Sequence, residues 1–395
     1  MSSACLRTPA LLLTLLGVTA VLSACSTPTA SETGRSESPT AANPASSAPT
    51  AAATPATPDD RAAALVADMS LRDRVSSLLV LHVAGTDPAV VHAFVDETHP
   101  GGLILMGDNV AGSVAEVAEL AAAVQDPDGP PLLLGIDQEG GVVRRLPGDD
   151  GPAGAALHGA TDADVTAAFT TRATIVHDAG LNLNFGVVAD VTADPGSFIF
   201  DRTLGADPAT AAAHVAAAVR GESAAGVLST LKHFPGHGAA PGDSHSSLPR
   251  TDRSRAEWEA VDAVPFRAGI DAGAEFVMFG HLVYSAVDSR PASVSPVWHD
   301  ILRDDLGFTG VSITDDMGML ENSGDPAYGD RVTNGVAALN AGMTMLLYVA
   351  DGPTPVTPTQ LIDGLTTAVE DGRIPETTID AAATVALTER LTLAR

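Results

Sequence analysis

The densest run of reactive side chains is Lys232-His233-Phe234-Pro235-Gly236-His237-Gly238, followed by Gly242-Asp243-Ser244-His245. Pro235 and the glycines exclude a helix, so His233 and His237 are not a helical metal-binding pair. Three histidines and an aspartate within thirteen positions carry the donor chemistry of a zinc site, but loop spacing fixes no tetrahedron, and no metal is expected. Acid-base chemistry uses the same residues differently. Asp243, two residues before His245, can orient the imidazole and hold it in the tautomer that proton transfer near neutral pH requires. The plainer reading of Asp243-Ser244 is loop turn chemistry.

Polar residues interrupt apolar runs at three further places: Gly135-Ile136-Asp137-Gln138-Glu139-Gly140-Gly141, Gly280-His281 and Thr314-Asp315-Asp316. A lone Asp after a strand usually caps the next helix. Four runs ending this way, Lys232-His233 included, point instead to a shared pocket. Lys232 stands apart because the chain uses arginine twenty times and lysine only here. Lysine offers a compact charge with rotatable donors where arginine offers a planar fork. Arg253 reads as an ordinary surface arginine.

Eight apolar runs supply the elements that must position these residues: Leu78-Val83, Leu103-Met106, Leu132-Asp137, Leu181-Phe185, Val227-Lys232, Phe276-Gly280, Val311-Asp315 and Met345-Val349. None alternates clearly, as expected for strands buried on both faces. Ala-rich amphipathic stretches such as Asp164-Ala179, Pro208-Ala225 and Ala256-Ala272 lie between them. Eight β/α units predict a (β/α)8 barrel, whose C-terminal strand ends converge on one face. A doubly wound open sheet is the alternative, but no Gly-x-Gly-x-x-Gly turn follows the first strand.

The 395 residues carry a net charge of −28 and are 45% hydrophobic, which suits a large folded core and excludes wholesale disorder. No Lys/Arg-rich run offers a nucleic-acid or anionic-membrane surface. Both cysteines fall within the first 25 residues, so no disulfide framework or thiolate metal cluster is expected. Arg7, the apolar run from Leu11 to Leu22 and then Leu22-Ser23-Ala24-Cys25 read as an export signal over residues 1–24, too short to span a bilayer. Leu-Ser-Ala-Cys resembles a bacterial lipobox, which implies a lipidated Cys25 and an extracytoplasmic, membrane-anchored protein. Residues 25–58 are almost all Ser, Thr, Ala and Pro and read as an unfolded tether. At about 3.1 Å per residue in polyproline II form it reaches on the order of 100 Å. The catalytic domain is expected over residues 59–395.

Together with Asn182-Leu183-Asn184-Phe185, Arg202-Thr203-Leu204-Gly205-Ala206-Asp207-Pro208 and Ser312-Ile313-Thr314-Asp315-Asp316, these motifs resemble glycoside hydrolase family 3. They are most similar to its single-domain bacterial β-N-acetylglucosaminidase branch, in order from about residue 65 to 390. The resemblance implies Asp315 as nucleophile and His245, with Asp243 as its partner, as acid-base. It further implies sugar binding by Asp137, Arg145, Arg202, Lys232 and His233; His281 sits where the family has a histidine after the sixth strand but reads as structural or as a support behind the site, and no cofactor is expected. Val142 stands where the family commonly has arginine and Thr344 where it often has aspartate. The residues themselves also allow a solvated Arg145 beside Arg144, and an Arg202 paired with Asp201 or Asp207. The activity implied is retaining exo-hydrolysis of terminal β-linked N-acetylglucosamine, as in cell-wall fragments. Other exo-β-glycosidase specificities, phosphorolysis and an inactive sugar-binding lipoprotein are the alternatives.

Overall fold

The computed structural model describes residues 57–349 and 355–393. The export, lipidation and tether readings, Cys25 included, fall on residues outside those described, save Thr57 and Pro58. Thr57 is a helix N-cap whose side chain accepts the Asp60 N–H, and Pro58 opens the helix Pro58–Asp68, one residue before the expected start of the domain at residue 59.

Eight strands form one sheet in which every pairing is parallel. They are β1 (Leu79–Leu81), β2 (Gly102–Leu105), β3 (Leu133–Ile136), β4 (Leu183–Val188), β5 (Leu228–Phe234), β6 (Phe276–Phe279), β7 (Val311–Thr314) and β8 (Leu346–Tyr348). β8 pairs with β1, and a parallel bridge between Ile313 and Met345 joins β7 to the start of β8. The sheet is therefore a (β/α)8 barrel, with helices packed around it. All eight expected strands form, most of them a residue or two shorter at an end.

The two-residue period of a strand divides each run between two cores. Val80, Ile104, Leu133, Leu183, Phe185, Leu228, Met278, Val311, Ile313 and Leu347 belong to the cluster that fills the barrel. Leu81, Leu103, Leu134, Leu231 and Val277 join the larger cluster beneath the helices. Gly135 is small for a steric reason: a Cβ there would lie 2.5 Å from the ring of Phe185. Among the described residues no helix is long and apolar enough to cross a membrane.

Three expected elements differ, one of them β5, which runs on to Phe234 past its expected end at Lys232. The stretch Ala256-Ala272 is two helices, Arg255–Ala260 and Ala263–Asp271. Pro265 has no N–H, and in a continuous helix its ring would strike the carbonyl four residues back, on Val261, where the chain breaks. β4 runs on to Val188 rather than ending at Phe185, through a register shift between Asn184 and Val187.

Candidate active site

Carried one step further, the inward series Leu133-Gly135, Leu228-Thr230 and Val311-Ile313 reach Asp137 and Asp315, each just past its strand, and Lys232, within β5. All three line a cavity of about 460 Å³ at the C-terminal mouth, with Glu139, Arg145, Arg202, His233 and His245. The strand period thus separates Asp315 from its neighbour. Asp316 also borders the cavity, but its Oδ1 accepts the N–H groups of Gly318 at 3.0 Å and Val349 at 2.9 Å. It caps the short helix Met317–Glu321 and ties that helix to the end of β8.

The loop after β3 is folded by its own side chains. Gly140 and Gly141 take φ of +83° and +58°, a turn that L side chains resist, and a Cβ on Gly140 would collide with the Arg172 guanidinium. Gln138 Oε1 accepts the N–H groups of Arg145 at 2.9 Å and Leu146 at 3.0 Å, while its Nε2 donates to Asp149 at 2.9 Å. Arg172 Nε bonds Asp149 at 2.8 Å, so a buried ion pair holds the loop from below. Arg145 is thereby brought into the cavity, with Nη2 3.8 Å from Asp137 Oδ2, while Arg144 binds the Asp149 carbonyl and Asp150.

Lys232 Nζ lies 2.9 Å from Asp137 Oδ1 and 2.7 Å from Glu139 Oε1. Arg202 grips the same Glu139 through Nε at 2.9 Å and Nη2 at 2.7 Å. Arg202 therefore does not pair with Asp201 or Asp207; Asp207 is the N-cap of the helix Pro208–Ala224. Burial alone would raise the Glu139 carboxyl, but the charges of Lys232 and Arg202 outweigh it and hold the group at about 2. Burial also works against the Lys232 charge, and Asp137 and Glu139 more than compensate, so the ammonium persists.

Asp190, just past β4, accepts the His233 Nδ1–H at 2.8 Å and the backbone N–H groups of His233 and His237. That bond assigns the tautomer: His233 Nε2 is left as acceptor, facing Arg202 Nη2 at 3.3 Å. Burial, followed by the Arg202 charge, pushes His233 well below the usual imidazole range, so it is neutral. Asp315 is kept anionic. Burial raises its carboxyl, but the Asp316 N–H at 2.8 Å and the Lys232 charge draw it below the usual carboxylate range. His281 is buried and bridges the Asp316 carbonyl and Ser293, a structural place as expected.

The Asp243-His245 pair forms as spaced, with Nδ1 2.6 Å from Asp243 Oδ1 and the Nε2 side free of the carboxylate. His245 is 60% exposed, on a loop held by the buried His237, whose Nε2 is 3.2 Å from Ser244 Oγ. Burial tends to raise Asp243, but the backbone and side-chain N–H groups of His245 draw it below the usual carboxylate range. The three histidines of the motif thus have three separate partners, and among the described residues no group of three or more His, Cys, Asp or Glu side chains is arranged to hold a metal.

Sequence reasoning missed Asp190 and the site role of Glu139. Asp190 interrupts the apolar stretch Val187 to Val191, the signal used for the other strand ends, but it was hidden when β4 was ended at Phe185. Of the two departures from the family pattern, Val142 lines the cavity. Thr344 lies at the opposite end of the barrel, bonded to Ser312 at the start of β7. Arg253 is not an ordinary surface arginine: it pairs with the buried Asp262.

Behind the mouth, Asn184 Nδ2 donates to the Gln138 carbonyl at 2.9 Å and to Glu222 Oε1 at 2.7 Å. Burial raises Glu222 to about 8, offset in part by the Asn184 bond. The unfolded chain ionises this group near pH 4.5 and the folded protein near 8, so the folded state binds the extra proton between them and stability falls as pH rises. Glu222→Gln keeps the shape without the charge. Its melting temperature relative to the unsubstituted chain should climb from pH 5 to 8, and a pH-independent difference would contradict the protonated Glu222.

Cationic and carboxylate groups gathered in a barrel mouth, above an anionic Asp315, define an enzyme of the (β/α)8 class acting at its strand C-termini. The model of the glycosyl hydrolase family 3 N-terminal domain matches residues 70–388, and the chain belongs to glycoside hydrolase family 3. A protein of Stenotrophomonas maltophilia named beta-hexosaminidase is 38% identical over 286 residues, covering 68% of this chain and 82% of its own length. A family 3 β-N-acetylglucosaminidase structure from a Paenibacillus species superposes with a TM-score of 0.75 at 32% identity, over 83% of this chain and 64% of that one, so this chain spans less than two thirds of it. The β-N-acetylhexosaminidase structure from Beutenbergia cavernae gives 0.72 at 31% identity, covering 82% of this chain and 99% of that one.

Proposed function

We propose that this glycoside hydrolase releases terminal β-linked N-acetylglucosamine with retention of configuration. The observation that carries the chemistry is the pairing, in one cavity, of an anionic Asp315 just past β7 with a His245 whose Nδ1 is committed to Asp243. The substrate preference is drawn from the printed names of the relatives. In the first step an Asp315 oxygen bonds the anomeric carbon as the glycosidic C–O bond breaks, and protonated His245 gives its Nε2 proton to the leaving oxygen. In the second, His245 takes a proton from water as that water displaces Asp315. Asp137, Arg145, Arg202 and Lys232 hold the sugar hydroxyls through charge-assisted bonds, and the neutral His233 accepts from a hydroxyl at Nε2. Turnover of a panel of 4-nitrophenyl β-glycosides, with and without phosphate, tests the reading. The N-acetylglucosaminide should be preferred at least about 100-fold and phosphate should have no effect. Preference for the glucoside, or dependence on phosphate, would overturn it.

Lys232 serves as a point donor wedged between two carboxylates, in a space that a longer planar fork beside Arg202 overfills. Lys232→Arg should therefore lower kcat/KM at least about tenfold, or about 1.4 kcal/mol of transition-state binding. Arg220→Lys, at an exposed position, is the control and should be neutral. Full activity in Lys232→Arg would contradict this geometry.

We also propose the lipid anchor at Cys25 and an extracytoplasmic place for the enzyme, from the signal and lipobox pattern. Cys25→Ser should move the protein from the membrane to the soluble fraction of the native cell. Continued membrane retention of the variant would refute the anchor.

A further inference from the structure

Five large apolar side chains stand exposed among the described residues, and two of them, Phe198 at 39% and Val142 at 73%, line the same cavity. Leaving such groups in water forgoes the gain of burying them, so two at one mouth mark a surface that a ligand covers. They come from the loops after β3 and β4, which are neighbours in the barrel. The Phe198 ring is 5.7 Å from that of His245 in an edge-on arrangement and 5.5 Å from that of His237, with the Arg202 guanidinium 5.9 Å from its centroid. The aromatic platform is thus flanked by cationic and imidazole neighbours beside the proposed proton donor.

We propose that Phe198 and Val142 form the binding surface for the leaving group of the substrate, and that they select an aglycone presenting a flat C–H face: a second pyranose ring, or an aryl group in its place. This rests on the function proposed above, because a proton donor stands beside the glycosidic oxygen and whatever that oxygen carries lies against the wall that holds the donor. The deep polar groups hold the sugar being transferred. The apolar rim adds contact area and ring packing only for substrates whose aglycone is a ring.

The test compares Phe198→Ala and Phe198→Tyr with the unsubstituted chain on three N-acetyl-β-glucosaminides: the fluoride, the 4-nitrophenyl glycoside and the β-1,4-linked disaccharide of N-acetylglucosamine. The fluoride has no ring to pack and, like the nitrophenyl glycoside, a leaving group that departs with little proton assistance. Phe198→Ala should lower kcat/KM at least about tenfold on both ring-bearing substrates, mainly through KM, and change the fluoride by less than about twofold. Phe198→Tyr should restore most of the loss. Equal losses on all three substrates, or none on any, would overturn the platform. A loss confined to the disaccharide would overturn it too, by showing that Phe198 acts only through the placing of His245. Inactivity of the unsubstituted chain on the fluoride would overturn the proposed function itself.

Discussion

Asp315→Ala should lose at least about 10⁴-fold in kcat, equivalent to about 5.5 kcal/mol of transition-state stabilisation, with little change in fold stability. The side chain continues the inward series of β7 and lines the cavity, with the Asp316 N–H its nearest backbone donor. Of the other carboxylates that line the cavity, Asp316 is engaged by the N–H groups of Gly318 and Val349. Asp137 and Glu139 are each tied to Lys232. The small space left behind should admit azide, and the variant should then convert an activated N-acetyl-β-glucosaminide to the α-glycosyl azide, since a single displacement inverts. Asp316→Ala should behave differently. It removes the cap of the helix Met317–Glu321 and the bond to Val349, which should cost about 1–2 kcal/mol of stability and a modest part of the rate. Steady-state kinetics and thermal melts of both variants check this pair, and a larger kinetic loss in Asp316→Ala would contradict the assignment.

His245→Ala should slow substrates according to how much their leaving groups need a proton. For an alkyl or sugar leaving group the loss should be about 10²–10⁴-fold, and for a dinitrophenyl glycoside less than about tenfold in the bond-breaking step. The slope of log kcat/KM against leaving-group pKa should accordingly steepen. Asp243→Asn should lie between. It keeps a hydrogen-bond acceptor for Nδ1 but removes the charge that favours imidazolium, and the exposed setting of both side chains limits what that charge is worth. Equal slowing of all substrates in His245→Ala would remove it from proton transfer.

The strands were legible because a buried parallel strand leaves an apolar run, and Ala-rich helices separate one run from the next. The mouth residues Asp137, Lys232 and Asp315 were legible for the same reason: a charged residue closing an apolar run is conspicuous. What joins them was not. Lys232 meets Asp137 across 95 positions and Arg202 meets Glu139 across 63, distances over which local spacing carries no information. Sequence proximity instead suggested Asp201 and Asp207 for Arg202, and the barrel brought Glu139. Asp190 was not legible because the expected strand ends at Phe185, whereas β4 shifts register between Asn184 and Val187 and continues to Val188. Pro265 carried the signal that splits the stretch Ala256-Ala272, through the carbonyl it would strike four residues earlier.

The central claim is a covalent glycosyl-enzyme on Asp315. Mass spectrometry of His245→Ala, quenched during turnover of dinitrophenyl N-acetyl-β-glucosaminide, reads it directly, because the variant forms the adduct from an activated substrate and lacks the base that clears it. The account predicts a protein heavier by one N-acetylglucosaminyl residue, with the label mapping to the peptide that contains Asp315 and absent from the Asp315→Ala, His245→Ala double variant. A label on another residue, or steady turnover with no accumulating adduct, would contradict it.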